Sequence, residues 1–148
     1  MTWQIQAAMD LRRRGVPVRS VTSARSDYYN CIAWALRDQS QWWWPGGKGF
    51  WPGRPPEQNI RPTLDVFLAL FAARDFVQCE GASVEAGYEK IALYGIGDEV
   101  THAARQLASG FWTSKLGEHV DVEHELSQIE VPPYGSVIAF LRRRLPVP

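Results

Sequence analysis

Two periods run along the chain, and the change from one to the other falls near residue 76. Before it, apolar side chains recur at helical spacing. Leu64, Phe67, Leu68 and Phe71 stand at i, i+3, i+4 and i+7, a single stripe meant for a core. Thr63 is a favoured N-cap ahead of that stripe, so a helix is expected from there to about residue 74. A shorter helix is expected after Asn30, where Cys31 opens a run of good helix formers. Beyond residue 76 the period becomes two, and segments 76–80, 90–94, 101–107, 111–115 and 136–141 read as strands. Residues 108–110, Ala-Ser-Gly, suit a three-residue hairpin connection with a bulge. Residues 121–128 are polar enough to predict a short surface helix. Helices first and a meandering sheet second describe an α+β fold, with N-terminal helices on one face of a mostly antiparallel sheet of about five strands.

Between the two early helices, residues 42–56 hold Trp42, Trp43, Trp44, Phe50 and Trp51 among glycines and prolines, which exclude a regular helix or central strand. A loop of this length is usually functional or held down by its own aromatic side chains. At 148 residues the chain reads as one domain, 1–148, able to build a core without disulfides or metals. Formal charge is zero, which argues against a nucleic-acid binder working through charge. Basic runs at 12–14 and 142–144 read as solvated faces, and the acids gather between Asp98 and Glu130. No secretory signal and no membrane-length apolar run is visible, so the reducing cytoplasm is expected, with Cys31 and Cys79 free. Export without a cleaved signal stays open.

Candidate chemistry centres on Cys31. With Asn30 as N-cap, Cys31 falls in the first helical turn, where unpaired backbone N–H groups and the helix dipole favour a thiolate. Such a thiol needs a histidine within reach. If Leu107 and Phe111 flank the hairpin turn, Gln106 faces Trp112, and His102, Ala104, Gln106, Trp112 and Ser114 share one face of the sheet; a bulge would shift the register by one and bring Thr113 or Lys115 onto that face instead. Small Ala104 beside His102 would leave room for the Cys31 helix to approach that face. The expected roles are Cys31 as nucleophile, His102 as general base and acid, and a polar side chain orienting the imidazole. Ser114 is the choice from strand register; Gln106, Asp121 and Glu123 are the alternatives. The Cys31 N–H, with a Tyr28 or Tyr29 hydroxyl, would steady the oxyanion.

The helix-borne Asn30-Cys31-x-x-Trp34-Ala35, followed by a sheet carrying Thr101-His102-x-x-x-Gln106, resembles the layout of papain-like thiol hydrolases. It is most similar to the compact NlpC/P60 and CHAP-like branch. The stretch from Trp112 to Gly117, Trp-Thr-Ser-Lys-Leu-Gly, with the later Glu123-His124, also resembles a group of uncharacterised bacterial proteins. The resemblance spans roughly residues 28–141, and its specific parts are Asn30-Cys31 and 102–117. It departs from NlpC/P60 enzymes in lacking an Asp-Cys-Ser-Gly sequence at the cysteine. It implies a peptidase or amidase cleaving an amide in a peptide, peptidoglycan or modified protein, with no cofactor.

Tyr28, Tyr29, Trp34, Trp43, Trp44 and Trp112 are the side chains expected to bind substrate, with the loop after the Cys31 helix forming a cleft wall. Lys48 and Arg54 beside the loop aromatics would suit stacking on sugars or bases. The rival reading is a catalytically silent module of the same fold that uses loop 42–54 to hold a protein or glycan partner. A metal site is not expected: His119 and His124 are five apart, off one helix face, and there is no Cys-x-x-Cys pair. Neither nucleic acid nor membrane is an expected partner.

Overall fold

The computed structural model describes residues 2–55 and 57–146. Helix α1 spans Trp3–Arg13, α2 Cys31–Ala35 and α3 Leu64–Ala72. The strands are β1 Ser20–Ser23, β2 Val77–Cys79, β3 Tyr88–Ile96, β4 Glu99–Gln106, β5 Trp112–Lys115, β6 Asp121–His124 and β7 Ser136–Arg144, with a 3-10 turn at Leu126–Ile129. They form one seven-stranded sheet in the order β1-β6-β5-β4-β3-β7-β2, every neighbouring pair antiparallel. The α+β class and the antiparallel sheet agree with the sequence, but the sheet has seven strands rather than about five.

Two differences have a clear physical cause. Residues 121–124 form strand β6 between β1 and β5, not part of a surface helix. The polarity that suggested solvent is internal: Asp121 and His124 are fully buried and bonded to side chains of neighbouring strands. The helices also cover both faces. Ile91 and Leu93 pack with Cys31, Ile32, Phe67 and Phe71 of α2 and α3. Ala92 and Tyr94, pointing the other way in the alternating strand, pack with Leu11 of α1, Trp112 and Ile129. A sheet buried on both faces explains why β3 is nearly continuous in burial.

The hairpin forms as expected. Leu107 N–H donates to Phe111 O at 2.8 Å, Gly110 sits at φ +93°, and Gln106 pairs with Trp112. The apolar stripe of α3 is packed, with Phe67 and Phe71 fully buried, and Thr63 is the N-cap by position though its side chain makes no capping bond. The basic run of β7 is tied down rather than solvated: Arg142 pairs with Glu85, and Arg143 with Glu89, which Arg37 also reaches at 3.0 Å. No helix among the described residues is long and apolar enough to cross a membrane.

Gly135 turns the chain into β7 at φ +81°, and a Cβ there would strike the carbonyl oxygen of Gly95 on β3. Gly135→Ala should therefore cost about 2–4 kcal/mol, combining left-handed strain with a backbone clash. Thermal unfolding should show Tm lowered by roughly 5–15 °C; an unchanged Tm would mean that the two strands move apart freely.

Candidate active site

The site begins at Asn30. Its backbone is extended (φ −121°, ψ −170°), and its side-chain oxygen accepts from Ala33 N at 3.2 Å, which starts α2 with Cys31 as the first helical residue. The same oxygen accepts from Trp43 N at 3.1 Å, and the amide nitrogen donates to Trp43 O at 2.7 Å. One buried side chain thus fixes both the cysteine and the aromatic loop. That loop folds back on the core: Trp43 and Trp51 are buried, Trp51 and Trp44 pack edge-on against Phe67, and Trp43 Nε1 donates to Asp38 at 2.8 Å. Arg54 donates to the loop's own carbonyls, among them Gly47 O at 2.9 Å, so it is a clamp rather than a free cation.

Cys31 and His102 meet at a cavity of about 440 Å3, lined also by Asn30, Trp42, Trp44, Thr101, Gly117, Pro133 and Tyr134. They reach it differently from the expected arrangement. α2 packs on the Ala103 side of the sheet, with Trp34 Nε1 donating to Thr113 at 3.0 Å. His102 lies on the opposite side, between the rings of Tyr94 at 5.3 Å and Tyr134 at 4.8 Å. The β4–β5 ladder contains only the pairs Arg105–Thr113 and Gln106–Trp112. Beyond Arg105 the two strands no longer pair, and the Cys31 sulfur at the start of α2 lies against the Ala103 backbone N–H with Lys115 nearby. The room for α2 thus comes from splayed strands and not from small Ala104. Among the described residues no hydrogen bond joins Cys31 Sγ to the His102 ring, and His102 Nε2 has no partner.

Electrostatics reverse one expectation. Burial raises the Cys31 thiol to about 11, although the backbone N–H groups of Ala103, Ile32 and Cys31 itself, and then the charge of Lys115, pull it down. The helix end favours the thiolate as anticipated, but desolvation outweighs it. Burial likewise lowers His102 to about 3, with the neighbouring His124 adding to the shift. The resting pair is neutral thiol and neutral imidazole.

None of the four candidate orienters bonds to His102. The Ser114 hydroxyl pairs with His124 Nε2, while His124 Nδ1 bonds Glu125 O at 2.8 Å. Gln106 donates to Ala82 O at 2.6 Å, and Glu123 faces Arg19 at 3.5 Å. Asp121 accepts from Tyr29 Oη at 2.8 Å and from Ser23, so Tyr29 has no free hydroxyl for an oxyanion. Lys115, fully buried beside this group, donates to Ser26 O at 2.6 Å and to Gly117 O, which steadies the cavity wall. Of the expected substrate-binding aromatics only Trp44 lines the cavity. Trp112 is interior to the second core cluster, Trp34 lies across Thr113, and Tyr28 is exposed outside the cavity. Trp42, Thr101 and Gly117 line the cavity too, each from a stretch noted in the sequence but given no part in the site; Pro133 and Tyr134 belong to no motif, and the turn signal of Pro132-Pro133-Tyr134-Gly135 just ahead of a strand is their one visible mark.

A larger hollow of about 660 Å3 beside β2 and Arg142, Arg143 and Arg144 is lined by neither cysteine nor histidine. Among the described residues no group of three or more His, Cys, Asp or Glu side chains is placed to hold a metal ion. Residues 20–142 match the family described as Domain of unknown function (DUF7689), and the chain belongs to that family. No curated protein and no solved structure matches the chain.

Asn30→Ala removes the cap and leaves the N–H and C=O of Trp43 buried without partners, so unfolding in urea should show a loss of roughly 2–4 kcal/mol. A loss below about 0.5 kcal/mol would place the anchor of the loop elsewhere. The histidines give a pH signature. Burial holds His102 at about 3 and His124 at about 4 against an ordinary 6.5, so the unfolded chain binds more protons below pH 6.5. The stability they contribute is complete above pH 6.5 and is lost as the pH falls towards their folded values, at about 1.4 kcal/mol per unit per histidine. Between pH 7.5 and 5.0 the unfolding free energy should drop by about 2–4 kcal/mol. A flat profile over that range would contradict neutral burial.

Proposed function

We propose that this DUF7689 member is a cysteine hydrolase of papain-like, NlpC/P60-like plan, a peptidase or amidase that cleaves an amide through a Cys31 thioester. The observation that carries the reading is the shared cavity. Cys31 and His102 open on one 440 Å3 space, and three backbone N–H groups lean on the sulfur. Because the resting pair is neutral, His102 acts as general base during attack rather than through a standing ion pair. The thiol proton passes to the imidazole as the S–C bond forms, and the imidazole returns it to the leaving amine as the C–N bond breaks. Water then hydrolyses the thioester. A peptide, peptidoglycan fragment or modified protein supplies the amide, and the aromatic walls at Trp42 and Trp44 receive its neutral portions.

One observation favours a second reading, a silent binding module of the same fold: burial disfavours the charged form of both Cys31 and His102. On that reading the Trp-lined cavity holds a partner segment and no bond is broken.

Incubation with a p-nitrophenyl ester, read by intact mass and peptide mapping, separates the two. The hydrolase should carry one acyl group on Cys31, Cys31→Ala none, and His102→Ala should acylate about 10²–10⁴-fold more slowly. Acylation that ignores His102, or that falls on Cys79 instead, would favour the silent module.

A further inference from the structure

We propose that the Tyr134 hydroxyl is the side-chain donor that stabilises the oxyanion in the Cys31 reaction, an inference that rests on the hydrolase reading above. The thiol step needs a hydrogen bond to the carbonyl oxygen from a group other than the nucleophile's own N–H. Tyr29 does not supply it, because its hydroxyl is bonded to Asp121. Tyr134 faces the same cavity as Cys31 and His102, and its ring packs on the His102 ring at 4.8 Å.

Its backbone is fixed from two sides. Tyr134 N donates to Val131 O at 2.8 Å, and its carbonyl accepts from the Thr101 hydroxyl, the residue next to His102. The neighbouring tyrosine on His102 differs: Tyr94 donates its hydroxyl to Leu126 O at 2.8 Å and is committed to structure. The Tyr134 hydroxyl has no such partner among the described residues and is free to point at a ligand. Burial, followed by the nearby Cys31 sulfur, raises its pKa, so it stays protonated as a donor.

In the reaction Tyr134 transfers no proton. The sulfur attacks the carbonyl carbon, the C=O electron pair moves to oxygen, and the Tyr134 O–H bonds the resulting oxyanion. Collapse restores C=O and expels the amine that His102 protonates. The bond strengthens as charge develops, which makes it a contributor to rate rather than to binding alone.

Two electrophiles test this. Iodoacetamide alkylates Cys31 without forming an oxyanion, whereas p-nitrophenyl acetate acylates it through one. Tyr134→Phe keeps the ring and removes only the hydroxyl. Acylation of Cys31 in Tyr134→Phe should slow on the order of 100-fold, while alkylation changes less than about threefold, inside the effect of an ordinary packing change. Equal slowing of both reactions would overturn the proposal and make Tyr134 a positioning residue for the cleft. Acylation at the wild-type rate would overturn it as well, with the hydrolase reading intact. A wild-type protein that is alkylated but never acylated on Cys31 would overturn the hydrolase reading itself, and this role with it.

Discussion

The Asn30 side chain is the constraint on which the rest of the site depends. It caps α2 through Ala33 N and grips both backbone groups of Trp43, so the helix start and the aromatic loop are set by one residue. An amide can do this where a carboxylate cannot, because it both accepts and donates. The position of Cys31, the packing of Trp44 and Trp51 on Phe67, and the cavity between them follow from that grip. Breaking it would loosen the helix start and the cleft wall together.

The sheet imposes the second condition. Both faces are covered, α1 on one and α2 with α3 on the other, so polar side chains along the middle strands must find partners inside. Asp121 does so with Tyr29 and Ser23, Ser114 with His124, and Lys115 with the carbonyls of Ser26 and Gly117. His102 Nε2 is an exception. An unpaired ring nitrogen beside a cavity that also holds a thiol is costly for stability. Desolvation keeps both groups neutral at rest, and any molecule entering the cavity would meet them in that state.

Much of the frame could be read from residue spacing. The α3 stripe, the period-two segments that became β3, β4, β5 and β7, and the Gly110 hairpin all express local preferences that the packing supports. β6 is hidden in the sequence because Asp121, Glu123 and His124 look solvated until the strands on either side are known. β1, the four residues Ser-Val-Thr-Ser, carries too little apolar pattern to announce itself. In the site, the hairpin register was legible, but strand alternation gives only which residues share a face, not which face a helix will cover. Cys31 therefore meets His102 around parted strand ends, and Ser114 serves His124. Tyr134 lies in a turn with no periodicity, and only the closed fold brings it to His102.

The strand order carries one more consequence, for the chain as it is made. Among the described residues β2 pairs in the sheet with β7 alone, and Cys79 waits for Phe140, about 60 positions later. β3 can pair at once with β4, and β5 with β6, so the middle of the sheet can assemble from short-range hairpins. The edge cannot. Until β7 slots between β3 and β2, the flank of β3 is an open row of backbone donors and acceptors, and Ile91 and Leu93 lack part of their cover. A chain without β7 would leave its most deeply buried strand open to pairing with other chains, and β7 closes that edge.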